Sequence, residues 1–299
     1  MSGSPLVLRS AFASYPHARA LKDGTVASDR IRFDFEEVEP ITRAFRRMVR
    51  TLDFDLCEIA LTTHAQAVAH GKAITALPVV LMRGFHHAAL VCAKDSSISG
   101  PRDLVGKRIG VRAFSQTTGV WLRGILLDEY GVDHRGITWV TQEDAHVREY
   151  SDPPNVVRIG PGQSLPEMLL AGEIDAGIAL AGLDASRTRP VIPDADLAAE
   201  AWYRKTGAYP VNHVLCVRTD LLRAHPWLAA ELFRLFTAAK AASPGGSAEA
   251  RYAALVGDPL PYGLEANRAG IELCLRYAAE QGLVPRVYAP EEVFCTVGD

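Results

Sequence analysis

The chain has 299 residues, 48% of them hydrophobic, with 32 Lys and Arg against 35 Asp and Glu and a net charge of −3. That is enough apolar material for one large domain or two ordinary ones, and the lack of any basic block argues against nucleic-acid binding. The richest apolar run, residues 74–82, is broken by Thr75 and Pro78 and falls short of the ~18 residues that span a bilayer.

Strand-like runs rich in Val, Ile and Phe are predicted over 6–13, 30–38 and 54–60. Between the last two, Phe45, Met48, Val49 and Leu52 recur at helical spacing. A helix over 62–70 and strands over 73–82 and 88–93 follow. From Lys94 a second unit is expected: a short helix at 101–104, a strand at 108–112, and a helix over 117–130 closed by Gly131. Strands at 137–140, 156–159 and 175–180, with a helix near 165–171, complete it. The C-terminal third predicts a strand at 213–217 and helices over 227–242 and 265–281. The apolar face of the 227–242 helix suits a core or a homo-oligomer interface equally well. Ser243–Ser247 (SPGGS) reads as flexible surface. The alternation predicts an α/β protein with substantially parallel sheets. One lobe is expected from 1–93 plus 202–299 and a second from 94–201, with a ligand cleft where the chain crosses twice.

The N-terminus shows neither a charged segment nor a long apolar stretch of the signal-peptide kind. The five cysteines are odd in number, far apart and without a C-x-x-C pair, which fits reduced thiols in a cytoplasmic protein and no zinc site. No nucleophile elbow, zincin, phosphate-loop or dinucleotide fingerprint is present.

Four places could carry chemistry. His86-His87 interrupts an apolar region just after Arg83; adjacent strand residues face opposite ways, so the pair cannot easily share a metal. One of them faces a cleft, or the pair is a strand edge without a role. Glu58 lies in a run suited to a buried strand and needs a partner there, either a ligand or a structural ion pair. Residues 112–119 join a strand to a helix, where backbone amides, Ser115, Thr117, Thr118 and Arg112 would suit a carboxylate; ordinary helix capping is the alternative. Residues 203–213 mix Tyr209, Asn212 and His213 before a strand, and His213 is a ligand contact, a general acid or a structural histidine. His17, His64, His70, His134, His146 and His225 show no metal spacing and receive no role.

Several segments together resemble the 4,5-dihydroxyphthalate decarboxylase family: RGFHH (83–87), GKRIGV (106–111), the run Thr117–Val132, LPEMLLAGEIDA (165–176), TGAYPVNH (206–213), HPW (225–227), PYGLEANR (261–268) and YAAEQGL (277–283). Differences from the family pattern fall at His86 and at Phe114-Ser115-Gln116. The resemblance implies a two-lobed type II periplasmic-binding-protein-like fold with an interlobe cleft. It also implies cofactor-independent decarboxylation of a small hydroxylated aromatic di-acid, with no pyridoxal or flavin required, because the ring is its own electron sink. On that basis His87 or His213 would be the acid/base groups, Glu58 the phenol acceptor, and Arg83 and Arg112 the carboxylate clamps. Thr117 and Thr118 would hold the remaining carboxylate, with Ser115, Tyr209 and Asn212 as further contacts. The alternative on the same fold is the solute-binding protein of an ABC-type transporter; the lack of a visible leader favours the enzyme.

Overall fold

The computed structural model describes residues 4–243 and 252–297. Among these residues, eleven strands form two mixed sheets. The first has the order β2–β1–β3–β11–β4, from Leu6–Ala11 (β1), Ile31–Phe35 (β2), Leu56–Ala60 (β3), Ile74–Arg83 (β4) and Val211–Arg218 (β11). The second has the order β10–β5–β9–β6–β7–β8, from Leu90–Ala93 (β5), Arg108–Val111 (β6), Thr138–Thr141 (β7), Val156–Arg158 (β8), Ala176–Ile178 (β9) and Thr188–Pro190 (β10).

The expectation of substantially parallel sheets needs one correction. β11 runs antiparallel to both β3 and β4, and β5 runs antiparallel to β9 and β10. Each is the strand on which the chain arrives from the other sheet, so its direction is set by the crossing and not by a strand–helix–strand repeat. The first crossing also falls earlier than Lys94: β5 pairs in the second sheet, so the chain changes sheets between Arg83 and Leu90. It returns through helix Ala195–Thr206, which the sequence reading did not anticipate, before entering β11.

Most helices lie where the periodicity puts them. Helix Thr117–Tyr130 ends on Gly131 at φ 68°, the left-handed cap that glycine supplies without a Cβ clash. It is buried on nearly all sides from Thr117 to Leu126, each large apolar side chain contributing about 1.5–3 kcal/mol. On one side it meets helix Arg268–Glu280 so closely that a Cβ at Gly124 would sit 2.3 Å from the Tyr277 ring. Helix Leu228–Ala241 lays Leu232, Leu235 and Phe236 into a core cluster with Leu8, Leu77 and Val79 of the first sheet. Its apolar face is thus filled by the chain's own core. A second, continuous core runs through both lobes, from Phe45 and Val80 to Trp121, Trp139 and Tyr277. Residues 244–247 of the SPGGS segment lie outside the described residues. Among the described residues no helix is long and apolar enough to cross a membrane, and all five cysteines are unpaired.

Candidate active site

A cavity of about 240 Å³ opens where the two lobes meet. Its wall takes Ala60, Thr63 and Met82 from the first lobe, Thr42 and Phe45 from helix Thr42–Thr51, and Asn212 and His213 from β11. The second lobe adds Arg112, Ala113 and Ser115 to Thr118 around the start of helix Thr117–Tyr130, His146, and Ala179. A dry cavity of roughly 150 Å³ accommodates benzene, so this volume suits one substituted aromatic ring. Two roomier hollows, of about 370 and 430 Å³, bring no histidine to their walls.

Glu58 is fully buried in the middle of β3. Strand register places it opposite Leu215 and places Ala60 opposite His213, so Glu58 and His213 are diagonal neighbours on one face of the sheet. The imidazole Nδ1 lies 2.6 Å from Glu58 Oε1. The carboxylate also accepts the backbone N–H of Ala13 at 2.9 Å and the hydroxyl of Tyr15 at 2.8 Å. Burial pushes its pKa up, but these bonds, led by His213, outweigh burial and hold it below the ordinary carboxylate range. Glu58 does not line the cavity; His213 does. The carboxylate therefore acts on any ligand through the imidazole, whose Nε2 makes no hydrogen bond among the described residues.

At the other wall, Thr62 Oγ1 bonds the Ser115 carbonyl at 2.9 Å and meets Thr117 Oγ1 at 2.7 Å, fixing the helix start against the first lobe. The first amides of this helix have no intrahelical partner, and the dipole there favours an anion. Arg112 lines the same space, its Nη1 2.8 Å from Glu143 Oε2. Asn212 links Thr118, at a long 3.4 Å, to His86, whose Nε2 lies 2.9 Å from Asn212 Oδ1. Ala179 adopts φ 47°, a left-handed conformation that costs a non-glycine residue about 1–3 kcal/mol.

The structure thus brings Glu58, Arg112, Ser115, Thr117, Thr118, Asn212 and His213 together, and takes Arg83, His87 and Tyr209 away from the cavity wall. The Arg83 guanidinium is buried, donates to Asn267 Oδ1 at 2.6 Å and to the Tyr209 carbonyl at 2.5 Å, and covers the Tyr209 ring. His87 packs edge-on to Trp202 and Phe85. Tyr209 belongs to the same aromatic cluster with Phe85 and Tyr252. These three residues organise the crossing segments. Of the adjacent histidines it is His86 that reaches the site, through Asn212.

Sequence reasoning missed His146, Thr63, Thr42 and Phe45. His146 follows β7 on an irregular segment with no motif around it, and only the fold brings it to Thr63, whose Oγ1 lies 3.0 Å from His146 Nδ1. Among the described residues no group of three or more His, Cys, Asp or Glu is arranged to hold a metal ion.

No protein-family model matches the chain. A 4,5-dihydroxyphthalate decarboxylase of Comamonas testosteroni is 33% identical over 251 residues, covering 80% of this chain and 76% of that protein. The chain belongs to the 4,5-dihydroxyphthalate decarboxylase family. A protein of the same name from Pseudomonas putida is 30% identical over 191 residues, 60% of this chain and 74% of its own. The family resemblance read from the motifs is thereby borne out. In fold, the chain resembles the periplasmic aliphatic sulphonate binding protein SsuA of Escherichia coli, with a TM-score of 0.61 over 97% of this chain and 98% of that one at 13% identity. The fold class expected of the family, two α/β lobes about a cleft in the manner of periplasmic binding proteins, holds. At that identity the likeness speaks to the fold alone.

Proposed function

We propose that this chain decarboxylates 4,5-dihydroxyphthalate or a close hydroxylated aromatic di-acid, with the Glu58–His213 pair as its proton carrier. The observation that supports this reading best is the buried carboxylate held against an imidazole that lines a ring-sized cavity. A buried glutamate behind histidine fixes the tautomer with Nδ1–H toward Glu58 and supports the imidazolium when Nε2 gains a proton.

The chemistry follows from the substrate. In 4,5-dihydroxyphthalate each carboxyl-bearing carbon has a hydroxyl para to it. As that hydroxyl gives its proton to solvent, its electron pair is pushed into the ring and the carboxyl-bearing carbon takes a proton. The carbon–carboxylate bond then breaks, its electrons restore the aromatic ring and return a pair to the phenolic oxygen, which takes a proton back from solvent, and CO₂ leaves with 3,4-dihydroxybenzoate as the other product. Protonated His213 is the donor to the ring carbon. Arg112 and the amides at the start of helix Thr117–Tyr130, flanked by Ser115, Thr117 and Thr118, hold the retained carboxylate. Phe45, Ala60, Met82 and Ala113 surround the departing carboxylate with apolar surface, which favours its conversion to neutral CO₂.

The test is incubation of the purified protein with 4,5-dihydroxyphthalate while CO₂ and 3,4-dihydroxybenzoate are followed. Stoichiometric formation of both, lost in His213→Ala, supports the reading. Saturable binding of aromatic di-acids with no turnover would instead favour the solute-binding alternative, for which the fold is the supporting observation.

A further inference from the structure

A second imidazole reaches the cavity, and its surroundings are opposite to those of His213. His146 is buried, lines the same wall, and is anchored on its far side by Thr63. Among the described residues its Nε2 makes no hydrogen bond. Both imidazoles meet Phe45 edge-on, with ring centroids 5.0 Å away for His213 and 5.8 Å for His146.

The backbone that carries His146 is itself fastened across the lobes. Arg50 donates to the carbonyls of His146 at 2.8 Å and Ala145 at 3.0 Å, and Arg46 donates to the Asp144 carbonyl at 3.2 Å. The imidazole is thus placed by its own peptide group, not by a mobile surface loop. The charged groups around it are Arg46 and Arg50 from helix Thr42–Thr51, Arg112 after β6, and His213 on β11. Glu143 beside it is already paired with Arg112 and Arg46. Burial first, and these cations next, push the His146 pKa down to about 3, which favours the neutral imidazole. The two imidazoles differ in what stands behind them: a carboxylate oxygen on Nδ1 of His213, and a hydroxyl on Nδ1 of His146.

We propose that His146 is the residue that recognises the ring hydroxyl, its Nε2–H donating to the phenolic oxygen para to the carbon where CO₂ departs. This rests on the decarboxylase reading for the identity of that oxygen. The proton on Nε2 follows if the Thr63 hydroxyl donates to Nδ1. A neutral donor fits an oxygen that becomes a phenolate: it strengthens its hydrogen bond as charge develops and does not compete for the proton. The retained carboxylate is matched by Arg112 and the helix amides and the departing one lies against apolar surface, which leaves the hydroxyls as the substrate feature without another partner. Thr63 is then a positioning residue, holding the ring and its tautomer.

The experiment compares the binding of 3,4-dihydroxybenzoate with that of benzoate by calorimetry, in the unaltered protein, His146→Phe and His146→Gln. The two ligands share a carboxylate and differ only in the hydroxyls. A preference for the dihydroxy ligand of about tenfold, one hydrogen bond's worth, is expected in the unaltered protein. His146→Phe should abolish the preference without weakening benzoate, and the Gln amide, a donor of similar reach, should restore part of it. An unchanged preference in His146→Phe overturns the assignment, as does binding of neither ligand by the unaltered protein. Turnover of 4,5-dihydroxyphthalate, measured alongside, judges the decarboxylase reading separately. Its absence with the binding pattern intact would discard that reading and keep His146 as the hydroxyl contact.

Discussion

Glu58 and His213 are one diagonal step apart on neighbouring antiparallel strands, and the 2.6 Å contact between them joins a fully buried carboxylate to the wall of the cavity. Glu58→Gln keeps the side-chain shape but offers an amide N–H to Nδ1, which reverses the imidazole tautomer. General acid–base catalysis contributes roughly 10²- to 10⁴-fold, and kcat should fall within that range with the fold retained. Steady-state kinetics beside a circular-dichroism melt checks it; kcat within a factor of two of the original would remove Glu58 from the mechanism.

The adjacent histidines should behave oppositely. His87 packs between Trp202 and Phe85 and its buried Nδ1 has no partner. His87→Phe removes an unsatisfied polar atom from an aromatic cluster, so stability should hold or rise by about 1 kcal/mol and kcat should be unchanged. His86→Phe breaks the bond to Asn212, and KM should rise several-fold. A dead His87→Phe enzyme that is still folded would return His87 to the site.

Most of the architecture is legible in the sequence because it is local. The Thr117–Tyr130 and Leu228–Ala241 helices declare themselves by apolar spacing, and Gly131 by its cap. The strand directions are not local: β5 and β11 are antiparallel because of where the chain comes from. The site divides in the same way. Glu58 is visible as a carboxylate in an apolar strand, and residues 112–118 as a strand-to-helix turn. His146 is invisible, because Thr63 lies 83 residues away and only tertiary structure joins them. Arg83 and His87 mislead for a related reason. Conspicuous polar residues at a lobe crossing are as useful for holding Tyr209 and Trp202 as for touching a ligand.

Arg50 provides a test of the interlobe fastening. Its two bonds to the Ala145 and His146 carbonyls tie the second lobe to helix Thr42–Thr51. Arg50→Met keeps the aliphatic stem and loses both bonds, a change of about 1–3 kcal/mol. The expected result is a raised KM for the dihydroxy substrate and a smaller preference for 3,4-dihydroxybenzoate over benzoate. An unaltered KM and preference would show that the segment holds its place without Arg50.

Gly124 tests the contact between helices Thr117–Tyr130 and Arg268–Glu280. The Tyr277 ring cannot easily retreat, since it is buried and its hydroxyl donates to Asp128 at 2.8 Å. Gly124→Ala should therefore destabilise the fold by about 1–3 kcal/mol, the usual cost of overpacking, despite alanine's better helix propensity. Adding Tyr277→Leu should recover most of the loss. Urea denaturation of the three variants reads this directly, and a Gly124→Ala protein more stable than the original would contradict the packing.

Acid should destabilise the protein from an unusually high pH. Burial lowers His17, His64, His86, His87 and His134 to about 4 and His146 to about 3, against an ordinary 6.5. Between the folded and unfolded values the unfolded chain binds protons that the folded chain refuses, so stability falls as pH drops from about 6.5 toward 4. Each such histidine contributes up to about 1.4 kcal/mol per pH unit in that window. Glu58 has the opposite origin: its carboxylate is held below its ordinary 4.5, and its contribution disappears only at still lower pH. Urea midpoints measured at about pH 7.5, 6 and 5 should decline steeply across the last interval. The His87→Phe protein should show a shallower decline, by the share of one histidine. A midpoint that stays level from pH 7.5 to 5 would mean that these imidazoles are not held neutral by the fold.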